Sequence, residues 1–278
     1  MNAELNSPAY LDHSLSIEAY HAMSPVSKSG LDSIDLSPAI YYARHVDPNR
    51  PERNAKAGQL EGNMAHCAIL EPEEFGKRYV IGPSVNRNTK VWKEFVEAHP
   101  DHIAIQQDQS DTAWRQAESV RALPEIRAAL DIGKPEVSAF WRDAETGVEC
   151  RCRPDWTHTV HDSAVVLVDV KTFSICTAHE FSKQCARKAY AKQDAFYTDG
   201  FERASGLEVL AFIFVAVSTE YPYSSAAYML DNDSKETGRR HYRKNLATYE
   251  ECLRTDKWPG FSEAIQIIRL PNWALEEI

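Results

Sequence analysis

The chain has 278 residues, 43% hydrophobic and 26% charged, enough to bury a full core in one elaborated domain. No stretch approaches the roughly 18 consecutive apolar residues that cross a bilayer. The polar residues 1–9 lack the basic-then-apolar order of a secretory signal, so a cytoplasmic protein in a bacterial cell, with no membrane partner, is expected. A net charge of −10 argues against a generic nucleic-acid coat, and six cysteines without a C-x-x-C pair argue against a structural zinc or iron–sulfur site.

Residues 1–15 read as loosely ordered, within an arm over 1–23 that precedes a single domain over 24–278. Ser27, Lys28 and Ser29 supply helix N-caps before Leu31, Ile34 and Leu36, and Ser37-Pro38 opens another helix with proline in its first turn. Over 58–70, Leu60, Met64, Cys67 and Ala68 recur at helical spacing; Gly58, Gly62 and Ala65 permit close packing, and His66 lies on the same segment. Glu71-Pro72 ends it. Further helices are predicted over 88–98 and 112–130, the second interrupted at Pro124. The period then changes to two, with strands predicted over 136–142, 148–156 and 164–171. Helices over 178–204, strands over 209–217 and 226–230, and a long polar helix over 233–254 complete an α/β order wrapped by an N-terminal helical region.

Pro154-Asp155 is followed fourteen residues later by Asp169-Val170-Lys171. Two carboxylates and a lysine in that order suit metal-dependent hydrolysis of a phosphodiester. The run Val165-Val166-Leu167-Val168 reads as a buried strand that ends on its acid, and residues 147–155 read as the strand beside it, after a turn at Glu145-Thr146-Gly147. Two neighbouring strands would then offer Asp155 and Asp169 to one hard cation, magnesium or manganese rather than zinc. Asp169 and Lys171 share a strand face, with the Val170 carbonyl between them. Most D-x-K triplets are salt-bridged surface; here the acid and lysine close an apolar strand, where structural charges would be half-buried.

Other positions carry two readings each. His66 is a nitrogen ligand or a packing residue, and Glu136 a third carboxylate or an exposed strand-end acid. Gln193 and Tyr197, at i and i+4, contact a ligand or form an ordinary polar pair. Cys150 and Cys152 alternate as small inward-facing residues. Three basic stretches, Arg44/Arg50/Arg53/Lys56, Lys183/Arg187/Lys188/Lys192 and Arg239/Arg240/Arg243/Lys244, are solvated helix surface or a local phosphate-binding face in an acidic chain.

Together, Gly62-x-x-x-His66, Glu136, Cys150-Arg151-Cys152-Arg153-Pro154-Asp155, Asp169-Val170-Lys171-Thr172 and Gln193-Asp194-Ala195-Phe196-Tyr197 resemble the nuclease domain of the RecE family (exodeoxyribonuclease VIII, of phage and prophage origin), over about residues 24–273. That family lies in the PD-(D/E)xK superfamily. The resemblance implies a mixed central sheet flanked by helices, with Asp155, Asp169, the Val170 carbonyl and His66 as metal ligands. Lys171 would orient or help deprotonate the attacking water, Glu136 would serve a second metal or a water, and Gln193 and Tyr197 would hold the ligands or the DNA backbone. The third-motif acid is Asp169 rather than glutamate, a shorter side chain that should draw the metal towards its strand. The long N-terminal extension of some RecE proteins has no counterpart here.

The resemblance further implies 5′→3′ degradation of one strand of linear double-stranded DNA, leaving a 3′ tail for a RecT-like annealing protein. It also implies a ring-shaped homotetramer. Basic residues, among them Lys183, Arg187, Lys188 and Lys192, would then line the channel, and Ser27-Lys28-Ser29 would read the terminal phosphate. An endonuclease of the same superfamily and a non-catalytic DNA-binding or assembly module are the competing expectations. The intact Asp155, Asp169 and Lys171 argue against the second.

Overall fold

The computed structural model describes residues 9–51, 58–270 and 275. Its centre is a mixed five-stranded sheet in the order β10-β9-β8-β7-β4, built from β4 (Lys134–Pro135), β7 (Trp156–His161), β8 (Ala164–Phe173), β9 (Glu208–Ser218) and β10 (Ser225–Tyr228). The β8–β9 pair is parallel and the other neighbours are antiparallel. The crossover between β8 and β9 carries α9 (Ala178–Arg187) and α10 (Tyr190–Ser205), as a parallel pair requires. Both central strands are buried on both faces, which is why they read as continuous apolar runs rather than alternating ones.

Each face has its own core. Val165 and Leu167 of β8 and Phe212 and Phe214 of β9 pack with Phe181 of α9 and Phe196 of α10. Leu31 of α2 (Lys28–Leu36) and Leu246 of α11 (Asn232–Thr255) join them. The opposite side chains, Val168, Val170, Val215 and Val217, pack against Met64 and Ala68 of α4 (Gln59–Leu70) and Ala113 and Val120 of α7 (Gln107–Arg121). α11 lies tight on α10 because Gly238 has no side chain; a Cβ there would collide with the Ala191 carbonyl.

A smaller antiparallel sheet, β1 (Tyr10–Asp12), β5 (Ser138–Arg142) and β6 (Glu149–Cys152), packs beside α10. Two short parallel strands, β2 (Tyr79–Ile81) and β3 (Ile103–Ile105), form a third. Of the remaining helices, α1 (Ile17–Ala22) and α3 (Pro38–Tyr41) lie near the N-terminus. α5 (Pro72–Arg78), α6 (Lys90–Ala98) and α8 (Pro124–Asp131) surround the α4–α7 side. No described helix is long and apolar enough to cross a membrane.

The mixed sheet flanked by helices is the expected fold class, with three differences. Residues 10–23 are ordered rather than a loose arm: Tyr10 stacks on Phe140 at 4.9 Å, and Tyr20 is buried under the Arg151 guanidinium, 4.7 Å from its ring centroid. The predicted strand over 148–156 is two elements, because the chain leaves β6 at Cys152 and starts β7 at Trp156, the true neighbour of β8. α7 begins earlier than expected, its polar first turn held by a capping box between Gln106 and Gln109. The helices expected over 178–204 are α9 and α10, which meet at Lys188 and Ala189, where Ala189 takes a left-handed conformation (φ 51).

Candidate active site

The site sits in a notch that β7 leaves open along β8. β9 pairs with β8 through Phe173, whereas β7 reaches only Trp156, opposite Val168. Continued register would place residues 154 and 155 against 170 and 169, but Pro154 has no N–H for a ladder and the chain turns away towards β6. The freed Val170 N–H donates instead to Asp155 Oδ2 at 2.7 Å. Asp169 is therefore not at a strand end, as expected from sequence; it lies mid-strand and only 2% exposed, because pairing with β9 carries β8 past it.

Asp155 and Asp169 meet four further side chains there, those of Gln193, Lys171, Tyr190 and His66. Gln193 Nε2, from α10, donates to Asp169 Oδ2 at 2.6 Å. Lys171, two residues on and on the same strand face, ion-pairs with Asp169 Oδ1, an atom that accepts no well-formed hydrogen bond. The Lys171 ammonium also lies 4.8 Å from the Tyr190 ring centroid, a cation–π contact that fixes its direction. From the other side, His66 of α4 brings Nδ1 to 3.4 Å from Asp155 Oδ2, and the Val170 backbone hydrogen-bonds its ring.

The electrostatics are those of an anionic site short of positive charge. Burial, reinforced by the Asp169 charge, pushes the Asp155 carboxyl well above the usual carboxylate range. Burial pulls the Lys171 ammonium down, but Asp169 and Asp155 outweigh it and hold the ammonium above its ordinary value, so it is charged at neutral pH. His66 is pushed down to about 4, chiefly by burial, which leaves a neutral imidazole suited to ligation. Among the described residues no three His, Cys, Asp or Glu side chains gather tightly enough to hold a metal unaided. The residues nonetheless fit a hard divalent cation completed by water or phosphate oxygens: two like-charged buried carboxylates, one with an oxygen that accepts no well-formed hydrogen bond and meets only the Lys171 ammonium, and a neutral imidazole meet at one strand.

Residues 27–271 match the family described as PDDEXK-like domain of unknown function (DUF3799). The chain belongs to this family. No curated protein matches it. Among solved structures, a protein from Eubacterium rectale, provisionally named an exonuclease, superposes with a TM-score of 0.62 at 12% identity, covering 92% of this chain and 95% of that one. SSO0001 aligns over 56% of this chain and 82% of its own at 15% identity, with a TM-score of 0.28. The first likeness shows a shared fold, and the second carries no argument.

In this PDDEXK-like domain the remaining predicted positions divide. Glu136 lies in the bend between β4 and β5 with φ 55, its N–H donating to the Asp155 carbonyl at 3.0 Å. Its carboxylate is clamped by Arg153 Nε, and burial, partly offset by Arg153, raises its pKa. Tyr197, one turn beyond Gln193, is half-buried against Phe212 at 5.9 Å. Burial first, then Asp169 and Asp155 among its neighbours, drive its pKa well upward, so it remains a neutral phenol.

The basic stretches are less available than their sequence suggests. Lys192 is a correction: it is 1% exposed, with Nζ 3.2 Å from Asp32 Oδ1 and 2.9 Å from Asp35 Oδ2, because its helix face turns inward onto α2. Lys183 pairs with Glu180 at 2.9 Å on the surface, while Arg187 and Lys188 are exposed at the end of α9. Ser27 caps α2 through Gly30 N–H at 3.4 Å, and Ser29 Oγ lies 3.0 Å from Ser27 Oγ. Lys28 donates to the Lys188 carbonyl at 2.9 Å and lies within electrostatic reach of Lys171; burial, above all, lowers its pKa. Arg239 is held bidentately by Asp199, and Arg243 by Asp143. Arg53 and Lys56 lie outside the described residues.

Two further residues, Arg153 and Tyr190, support the site. Arg153, inside the quoted C-R-C-R-P-D run, clamps Glu136 and donates to Ser138 Oγ and the Leu15 carbonyl. Tyr190 stands three residues before Gln193 on the same helix face, a spacing that would have revealed it.

Proposed function

We propose that this protein is a magnesium-dependent exodeoxyribonuclease, with manganese as an alternative ion, that degrades one strand of linear double-stranded DNA from the 5′ end. The observation that carries the reading is the Asp155–Asp169–Lys171 set at the open notch of β8, with Gln193 fixing Asp169. Asp155, Asp169, His66 and the Val170 carbonyl would hold the cation. Bound there, a divalent ion polarises the phosphate and lowers the pKa of a water. The chain's own groups do the rest. Gln193 holds one Asp169 oxygen, and the other, Oδ1, meets the Lys171 ammonium in the notch. Lys171 supplies a fixed positive charge beside the phosphate as negative charge grows on its oxygens, and can position the attacking water. Water oxygen bonds to phosphorus and gives up one proton to solvent, the ester P–O bond breaks, and the departing oxygen takes a proton back from solvent.

The 5′→3′ polarity, the 3′ tail, the RecT-like annealing partner and a homotetrameric ring rest on the RecE resemblance. Ser27 and Ser29 hydroxyls beside Lys28, near Lys171, support a terminal-phosphate role for that segment. Linear duplexes labelled separately at the 5′ and 3′ ends, with a covalently closed circle alongside and magnesium present or withheld, test the proposal. Early loss of the 5′ label with an intact circle is expected. Rapid cutting of the circle would make the protein an endonuclease, and no magnesium-dependent cutting at all would remove the nuclease reading.

A further inference from the structure

The N-terminal halves of α4 and α7 and the far end of the β8–β9 pair enclose a cavity of about 350 Å³ that no proposed role above uses. Gly62, Met64, Thr112, Ala113, Gln116 and Thr172 line it. Its position relative to the notch is set by two elements that also carry site residues. Gly62 stands four residues before His66 on α4, about 6 Å along the helix axis. Thr172 stands two residues beyond Val170 on β8, about 7 Å along the strand. A Cβ on Gly62 would lie 3.6 Å from Thr172 Oγ1, so helix and strand run side by side from the notch to the cavity. The offset is the length of a nucleotide step in an unstacked strand.

The chemistry of the wall selects a neutral, flat occupant. Hydroxyls and amides alternate with Met64 and Ala113, which suits the edge and face of an aromatic heterocycle. Glu61 and Asp108 also line the cavity, with Glu61 Oε1 accepting from Gln109 Nε2 at 2.9 Å, and their charges repel phosphate. At the lip, the β9–β10 turn presents an aromatic surface. Thr219 belongs to the lining, Tyr223 OH lies 3.4 Å from Thr112 Oγ1, and the Tyr221 ring sits 6.1 Å from the Tyr223 ring with 80% of the residue exposed. An exposed tyrosine beside a mostly apolar, phosphate-repelling cavity is the arrangement by which proteins stack an unpaired base.

We infer that this cavity is a nucleobase pocket for the strand whose phosphate occupies the notch, with Tyr221 as its stacking face, a reading that rests on the proposed nuclease function. The pocket takes the base one nucleotide from the scissile phosphate, so a base unpaired from the duplex is part of what the protein recognises.

Binding, rather than cutting, tests this. Affinities are measured in EDTA for linear duplexes carrying a single abasic residue at each of the first few 5′-proximal positions in turn, with wild type, Tyr221→Ala and Thr112→Trp. Tyr221 is exposed, so its variant folds even where the cavity-filling one does not. In wild type one abasic position should weaken binding about tenfold, and in Tyr221→Ala that position-specific loss should disappear. A flat abasic scan in wild type, or an unchanged scan in Tyr221→Ala, overturns the pocket. Magnesium-dependent cutting is read separately: a protein that cuts but scans flat loses the pocket alone, and one that scans as expected without cutting keeps the pocket and loses the nuclease.

Discussion

The Val170 N–H donates to the Asp155 carboxylate at 2.7 Å, in the place where an unbroken β7 would have paired. One departure of the chain, at Pro154, therefore satisfies a buried backbone donor and delivers a carboxylate to the centre of β8. Burial keeps water from stabilising that charge, and Asp169 adds repulsion. The gap in the sheet and the demand for a cation have a common origin.

Asp155→Asn retains an oxygen for the Val170 N–H and removes one of two like charges, so melting temperature should hold or rise while phosphodiester cleavage falls at least about 100-fold. Lys171→Ala should lose activity to a similar degree and stay folded. Cleavage assays with parallel thermal melts decide; wild-type rates in either variant end the assignment.

His66→Ala should reduce activity more than stability, because the imidazole is half-buried, neutral and 3.4 Å from Asp155. Calorimetric titration of magnesium into wild type and variant should show weaker binding in the variant. Early melting with full specific activity would make His66 a packing residue.

Gln193→Ala strips Asp169 Oδ2 of its donor inside the protein, which should cost about 1–3 kcal/mol of stability. Added cation should recover part of that loss by restoring a partner to the carboxylate. Chemical denaturation with and without magnesium measures both, and equal loss in the two conditions would detach Gln193 from the ion.

Lys192→Met should leave DNA affinity and its salt dependence unchanged, since the ammonium is already spent on Asp32 and Asp35, and stability should change little or improve. Lys28 is also paired with Asp32, at 2.8 Å, but stands beside the Ser27 and Ser29 hydroxyls as the proposed phosphate contact, so Lys28→Ala should weaken DNA binding and flatten its salt dependence. Binding titrations at several salt concentrations distinguish the two lysines; a Lys192→Met protein that binds DNA like Lys28→Ala would return Lys192 to the interface.

Asp143 supplies a pH signature away from the site. Burial pushes its carboxyl up, but the Thr146 N–H and hydroxyl and the Arg243 guanidinium outweigh this, and the net value lies below 3.8. Because the folded-state value is depressed, the stabilisation is present above the unfolded pKa and is lost as pH falls through the folded one. Thermal melts from neutral pH to about pH 3 should show a shallower acid decline for Asp143→Asn than for wild type. Identical acid limbs would show that Asp143 contributes nothing to it.

The sequence by itself determined the strands at 164–171 and 209–217, the helix carrying His66, the inward cysteines, and the PD-(D/E)xK character of the chain through the spacing of Asp155, Asp169 and Lys171. Those features are local: apolar periodicity reports which face of a segment is buried, and motif spacing survives without knowledge of partners. Tertiary structure alone decided that β7 stops at Trp156 and leaves the notch, because strand pairing is chosen between segments and not within them. It also decided the fate of the lysines. Lys192 repeats the spacing of its exposed neighbours, yet its partner Asp35 lies 157 residues away, and only packing of α10 on α2 turns that charge inward. The same long-range closure sets Arg153 on Glu136 and joins Gly62 to Thr172, contacts whose energy depends on distance in space rather than in sequence.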